Sequence, residues 1–118
     1  MANPSKRDSA ARKVVGVARS IVTYQLGLSV GCRRMHRAFS WLAPYETNLP
    51  EVFREYLDNV HDLPIGSERL HWNREILRQK DIEIEKINQQ FRDRIFEASW
   101  ALIDRFGDSS PVDEKPID

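Results

Sequence analysis

At 118 residues and 41% hydrophobic side chains, the chain is near the usual size of one domain and carries enough apolar mass for one modest core. Its 18 basic and 18 acidic residues cancel, which removes the global field that would draw it to nucleic acid or to an acidic membrane surface. A single cysteine, Cys32, excludes an internal disulfide and a thiolate cage for zinc, and it fits a reducing, cytoplasmic compartment.

The charges do not cancel segment by segment. Residues 1–40 carry eight Lys or Arg against Asp8, residues 41–70 six acids against two Arg, and residues 71–118 eleven acids against eight bases. Any partner surface is therefore local. The polar start has no apolar signal segment, and the longest uncharged run, Ser20 to Cys32, is too short and too polar to span a bilayer. The expectation is a chain that is neither exported nor membrane-embedded.

The first helix is expected to begin at Asn3 with Pro4 in the first helical position, or later at Asp8 or Ser9. Ala11, Val14, Val15, Ala18, Ile21 and Val22 recur at three- and four-residue steps and define its core face, leaving Arg12, Lys13 and Arg19 toward solvent. Gly27 is the expected stop, since glycine accepts a left-handed conformation without a Cβ penalty. Ser29 then caps a second helix with Leu28, Cys32, Met35, Phe39 and Leu42 inward and Arg33, Arg34 and Arg37 outward. Pro44 ends it.

After a loop from Ala43 to Leu49, Pro50 opens a third helix that Asp62 to Gly66 closes. At 100° per residue, Glu51, Glu55, Asp58 and Asp62 fall in one stripe opposite Phe53, Tyr56, Leu57 and Val60. From Ser67 to Phe106 there is neither proline nor glycine, and Leu70, Leu77, Ile84, Ile87, Phe91, Ile95, Ala98, Leu102 and Phe106 share one side. One helix of that length would run roughly 60 Å, about twice the first helix, so a kink or short turn is expected near Lys80 and Asp81. A second apolar face with Ile82, Phe96, Trp100 and Ile103 lies about 120° around and predicts either cover by other helices or self-association through Phe96, Trp100 and Ile103. Residues 107–118, with two prolines and four acids, read as a disordered acidic tail after a helical domain spanning residues 1–106.

Catalytic signals are weak. His36, His61 and His71 have no ligand-type spacing to one another, and no phosphate loop or G-x-S-x-G elbow is present, so neither a metal, a cofactor nor an enzymatic reaction is expected. Three faces remain as candidate binding sites. The acidic stripe of Glu51, Glu55, Asp58 and Asp62, extended by Glu46 and Glu68, can imitate a run of phosphates and occupy a basic cleft. Arg33, Arg34 and Arg37 can contact phosphates. The Trp100 face can anchor a homodimer.

The stretch from Gln25 to Arg37, with its Leu-Gly-Leu-Ser turn, resembles the turn and recognition helix of helix-turn-helix DNA binders. It departs from them at Arg33 and His36, where that family places apolar residues facing the neighbouring helix. Ala18-Arg19, Gly31-Cys32-Arg33-Arg34 and Leu63-Pro64-Ile65-Gly66 with Arg69 and Trp72 before a long helix are similar, across residues 14–106, to small uncharacterised all-helical bacterial proteins. Some of these are immunity partners of contact-dependent or other polymorphic toxins. That resemblance implies inhibition by binding. The combined expectation is one antiparallel bundle of four or five helices that binds a protein partner, such as a toxin with a basic active site; a DNA-binding regulator is the alternative.

Overall fold

The computed structural model describes residues 4–107. Four α-helices account for most of them: α1, Pro4–Val22; α2, Leu28–Leu42; α3, Val52–Asn59; and α4, Arg74–Phe106. A 3-10 turn, Ser67–His71, precedes α4, and there is no strand among the described residues. The expected cap Asn3 and the expected tail from residue 108 onward lie outside the described residues. No helix among the described residues is long and apolar enough to cross a membrane.

The core follows the helical periodicity. Ala11, Val14, Val15, Ala18 and Ile21 of α1 are buried, as are Leu28, Cys32, Met35 and Leu42 of α2 and Phe53 and Tyr56 of α3. Phe91, Ile95, Leu102 and Phe106 complete it from α4. Each large side chain closed off in this way contributes on the order of 1.5–3 kcal/mol of transfer free energy. Helix α1 packs against both α2 and α4, and α3 bridges α2 to α4. Small residues allow this closeness: a Cβ added at Gly31 would lie 2.6 Å from the Ile21 side chain, so only glycine lets α2 approach α1 there. A polar triad crosses the core as well. The Tyr56 hydroxyl donates to Asn88 Oδ1 at 2.6 Å and lies 2.7 Å from the Ser29 hydroxyl, joining α3, α4 and α2.

Three helix ends differ from the sequence expectation. Helix α1 stops at Val22, and Tyr24, not Gly27, takes the left-handed conformation, at φ 64°. Gln25 N–H donates to Ser20 O and Tyr24 N–H to Ile21 O, the paired bonds of a Schellman ending. Gly27 is instead the extended residue before α2 (φ −69°), and Ser29 spends its hydroxyl on Tyr56 instead of capping. Helix α3 ends at Asn59, so Asp62 sits in the following turn and leaves the helical stripe.

Helix α4 runs without interruption through Lys80 and Asp81. Its start is fixed by Asn73, whose side chain accepts from Glu75 N–H at 2.7 Å and Ile76 N–H at 3.4 Å. Asp81 caps nothing. It receives both guanidinium nitrogens of Arg69, at 2.7 and 3.1 Å, which ties the 3-10 turn to the side of α4. At 33 residues the helix is about 50 Å long. Fully buried α4 side chains begin at Phe91; before it, in the first half of the helix, Ile84 and Ile87 pack against the core part-buried, while Ile76 and Ile82 are exposed. Ion pairs Glu75–Arg78, Lys80–Glu83 and Glu85–Arg92 line it. Each such surface pair is worth only about 0.2–0.5 kcal/mol, so the cap and the absence of breakers carry this segment.

Candidate functional site

The outer side of the α1–α2 pair forms a groove of about 590 Å³. Periodicity builds it: on α1 the positions flanking the core stripe are Lys13, Gly16, Val17 and Ser20, and on α2 they are Val30, Arg33, Arg34, Arg37, Ala38 and Trp41. Val17, Leu26, Val30 and Ala38 supply an apolar floor, and four cations stand along the edges with no carboxylate among the lining residues. A neighbouring hollow of about 540 Å³ shares Lys13 and Trp41 and continues toward Lys6, Ser9 and Tyr45. The Lys13 ammonium lies 5.1 Å from the centre of the Trp41 ring, a cation–π placement that holds the indole at the junction of the two hollows. Trp41 is nevertheless 49% exposed.

The cations here are largely uncommitted. The side chains of Lys6, Arg34 and Arg37 make no hydrogen bond or ion pair with the described residues; only the Arg37 carbonyl is used, accepting from the Ser40 hydroxyl at 2.6 Å. Arg33 is the exception: its guanidinium reaches the turn before α4, where a Cβ on Gly66 would fall 2.6 Å from Nη1. Nearby Glu68 has its carboxyl held below the usual range, first by its own backbone N–H and also by those of Gly66 and Ile65, with a smaller contribution from the Arg33 charge. Glu68 thus serves the turn, and it does not extend the acidic stripe.

The acidic stripe is differently placed. Arg54, three residues after Glu51 and four before Asp58, bonds both. Arg94 of α4 donates to Glu55 at 2.7 Å, and Asp62 faces the adjacent His61 at 2.9 Å. Two arginines therefore stand among the four acids, and much of the local negative field is cancelled within the chain. Glu46 is elsewhere again: it accepts from Arg7 of α1 at 2.7 Å and from Arg105 of α4 at 3.2 Å. Arg105 also holds the Thr47 and Asn48 carbonyls, at 2.8 and 3.1 Å, which fixes the loop between α2 and α3.

On the Trp100 face, Phe96 is half-buried and meets Tyr24 with ring centroids 5.4 Å apart, and Ile103 is half-buried against the core. Trp100 itself is 54% exposed and belongs to no core cluster, so its burial against α1 is excluded. The three histidines are exposed, and no group of three or more His, Cys, Asp and Glu among the described residues is placed to hold a metal ion. Cys32 is buried, which pushes its thiol up to about 12 and keeps it from acting as a thiolate nucleophile near neutral pH.

Sequence reasoning located Arg33, Arg34 and Arg37 but left out Lys13 and Trp41, which complete the groove. Lys13 carried a usable signal. It lies on the flank of the α1 core stripe, where a long side chain can reach the neighbouring helix. Comparisons with protein-family models, with curated proteins and with solved structures found no match.

Proposed function

We propose that this protein is a non-catalytic protein-binding module, and that the α1–α2 groove is the surface that engages the partner. The carrying observation is the pairing of apolar and cationic lining: Val17 and Val30, with Leu26 of the connection between the helices, share the groove with Lys13 of α1 and Arg34 and Arg37 of α2. Surfaces of this kind gain affinity from apolar burial and specificity from complementary charge, so an acidic protein segment fits. The immunity-protein reading, in which Glu51, Glu55, Asp58 and Asp62 occlude a basic active site, has less support because Arg54 and Arg94 already occupy the first three of those carboxylates. The four helices act as a single small bundle that supports the groove.

The test is fluorescence anisotropy of labelled poly-L-glutamate, about 15 residues long, with the intact protein. The expected result is salt-sensitive binding that weakens at least tenfold in the Arg34→Glu/Arg37→Glu variant, whose exposed positions leave the core untouched. Absence of binding would overturn the reading. Binding of a duplex DNA site in its place, lost in the same variant, would assign the chain to the regulators.

A further inference from the structure

We infer that the occupant of the α1–α2 groove is an amphipathic α-helix of about four turns, apolar on the side that enters the groove and acidic along both flanks. This rests on the binding reading above and specifies the shape and chemistry of the partner.

Length comes from the lining residues. On α1 the residues lining the two adjacent hollows run from Lys6 to Ser20, and at 1.5 Å per residue they span about 21 Å, or about 14 residues of helix. An extended strand would cover the same distance in about six residues. Backbone chemistry separates the two. Both walls are α-helices whose N–H and C=O groups are spent inside α1 and α2, so a strand laid between them would find no main-chain partners and would leave its own groups unpaired. A helix arrives with its backbone already satisfied and packs its side-chain ridges into the space between two others.

Charge placement sets the rest. Lys6 and Lys13 stand on the α1 side and Arg34 and Arg37 on the α2 side, while Val17 of α1, Val30 of α2 and Leu26 of their connection supply apolar lining. Acids on both flanks of an apolar stripe therefore meet cations on both edges. Trp41, held by Lys13 where the two hollows join, offers the largest exposed apolar surface for an anchoring side chain.

The experiment compares three fluorescently labelled probes of equal length with the full-length protein: an Ala-rich peptide with Leu at helical spacing and Glu on both flanks, the same composition scrambled, and oligo-deoxythymidine. The patterned peptide is expected to bind at least tenfold tighter than the scrambled one and to gain helical circular dichroism on binding. Its advantage is expected to vanish in Val30→Glu, a position 41% exposed and so replaceable without opening the core. Equal binding of patterned and scrambled peptides would overturn the helix while leaving an acidic protein partner in place. No binding by either peptide, or tighter binding of oligo-deoxythymidine than of both, would overturn the inference and the protein-binding reading together.

Discussion

Arg94 on α4 reaches Glu55 on α3 with a 2.7 Å hydrogen bond, and in doing so it places a positive charge within the acidic stripe that the α3 sequence displays. Both side chains are about half exposed, so the pair is expected to add little to stability. A double-mutant cycle on Glu55→Ala and Arg94→Ala is expected to give a coupling energy of about 0.2–1 kcal/mol in thermal or urea unfolding. A coupling above about 2 kcal/mol would mean that the pair is desolvated and that α3 depends on it.

Tyr24 is held in a left-handed conformation by the ending of α1 while its ring packs on Phe96. A left-handed non-glycine residue costs roughly 1–2 kcal/mol. Tyr24→Ala and Tyr24→Gly both lose the ring contact, but only the glycine relieves the backbone. The glycine variant is therefore expected to unfold about 1 kcal/mol harder than the alanine variant, measured by urea denaturation. Equal stabilities would show that the backbone at this position is unstrained.

Much of the core was legible because helix periodicity is a direct consequence of 3.6 residues per turn: Val14, Ala18, Cys32, Met35, Ile95 and Leu102 are all buried where the pattern places them. The Glu51–Arg54–Asp58 pairing is likewise written in the three- and four-residue spacing. What escaped depends on partners distant in sequence. Tyr24 takes a glycine-type conformation with its ring against Phe96 of α4, and Asp81 is claimed by Arg69, so neither marks the boundary its residue type suggests. Local propensity cannot report such competition. The groove was half legible: Arg34 and Arg37 were visible as an outward face, but its far edge at Lys13, and the contact of Lys13 with Trp41, needed the packing of α1 on α2.

Ser99 is fully buried on α4, and its hydroxyl has no hydrogen-bond partner among the described residues. An unpaired buried hydroxyl costs about 1–3 kcal/mol of desolvation, and alanine fits the same space. Ser99→Ala is expected to be neutral or to raise the melting temperature by a few degrees, read by calorimetry. A clear loss of stability would reveal a bond that the hydroxyl makes.

Glu46, bonded first to Arg7 and then to Arg105, has its carboxyl held below the usual carboxylate range. The unfolded chain therefore takes up this proton at a higher pH than the folded one does. The contribution is present above the ordinary carboxylate range and is lost as pH falls through the folded value. Unfolding midpoints across pH 6 to 3 are expected to fall less steeply in Glu46→Gln than in the wild type. Parallel curves would remove Glu46 from the acid response.

A nuclear magnetic resonance titration of the isotopically labelled chain with the patterned acidic peptide locates the surface at which the protein binds. Shifts are expected to be confined to the lining of the two hollows, among them Lys6, Ser9, Lys13, Val17, Val30, Arg34, Arg37 and the Trp41 indole. Shifts centred on Glu51, Glu55 and Asp58, or on Phe96 and Trp100, with the groove resonances unmoved, would contradict it.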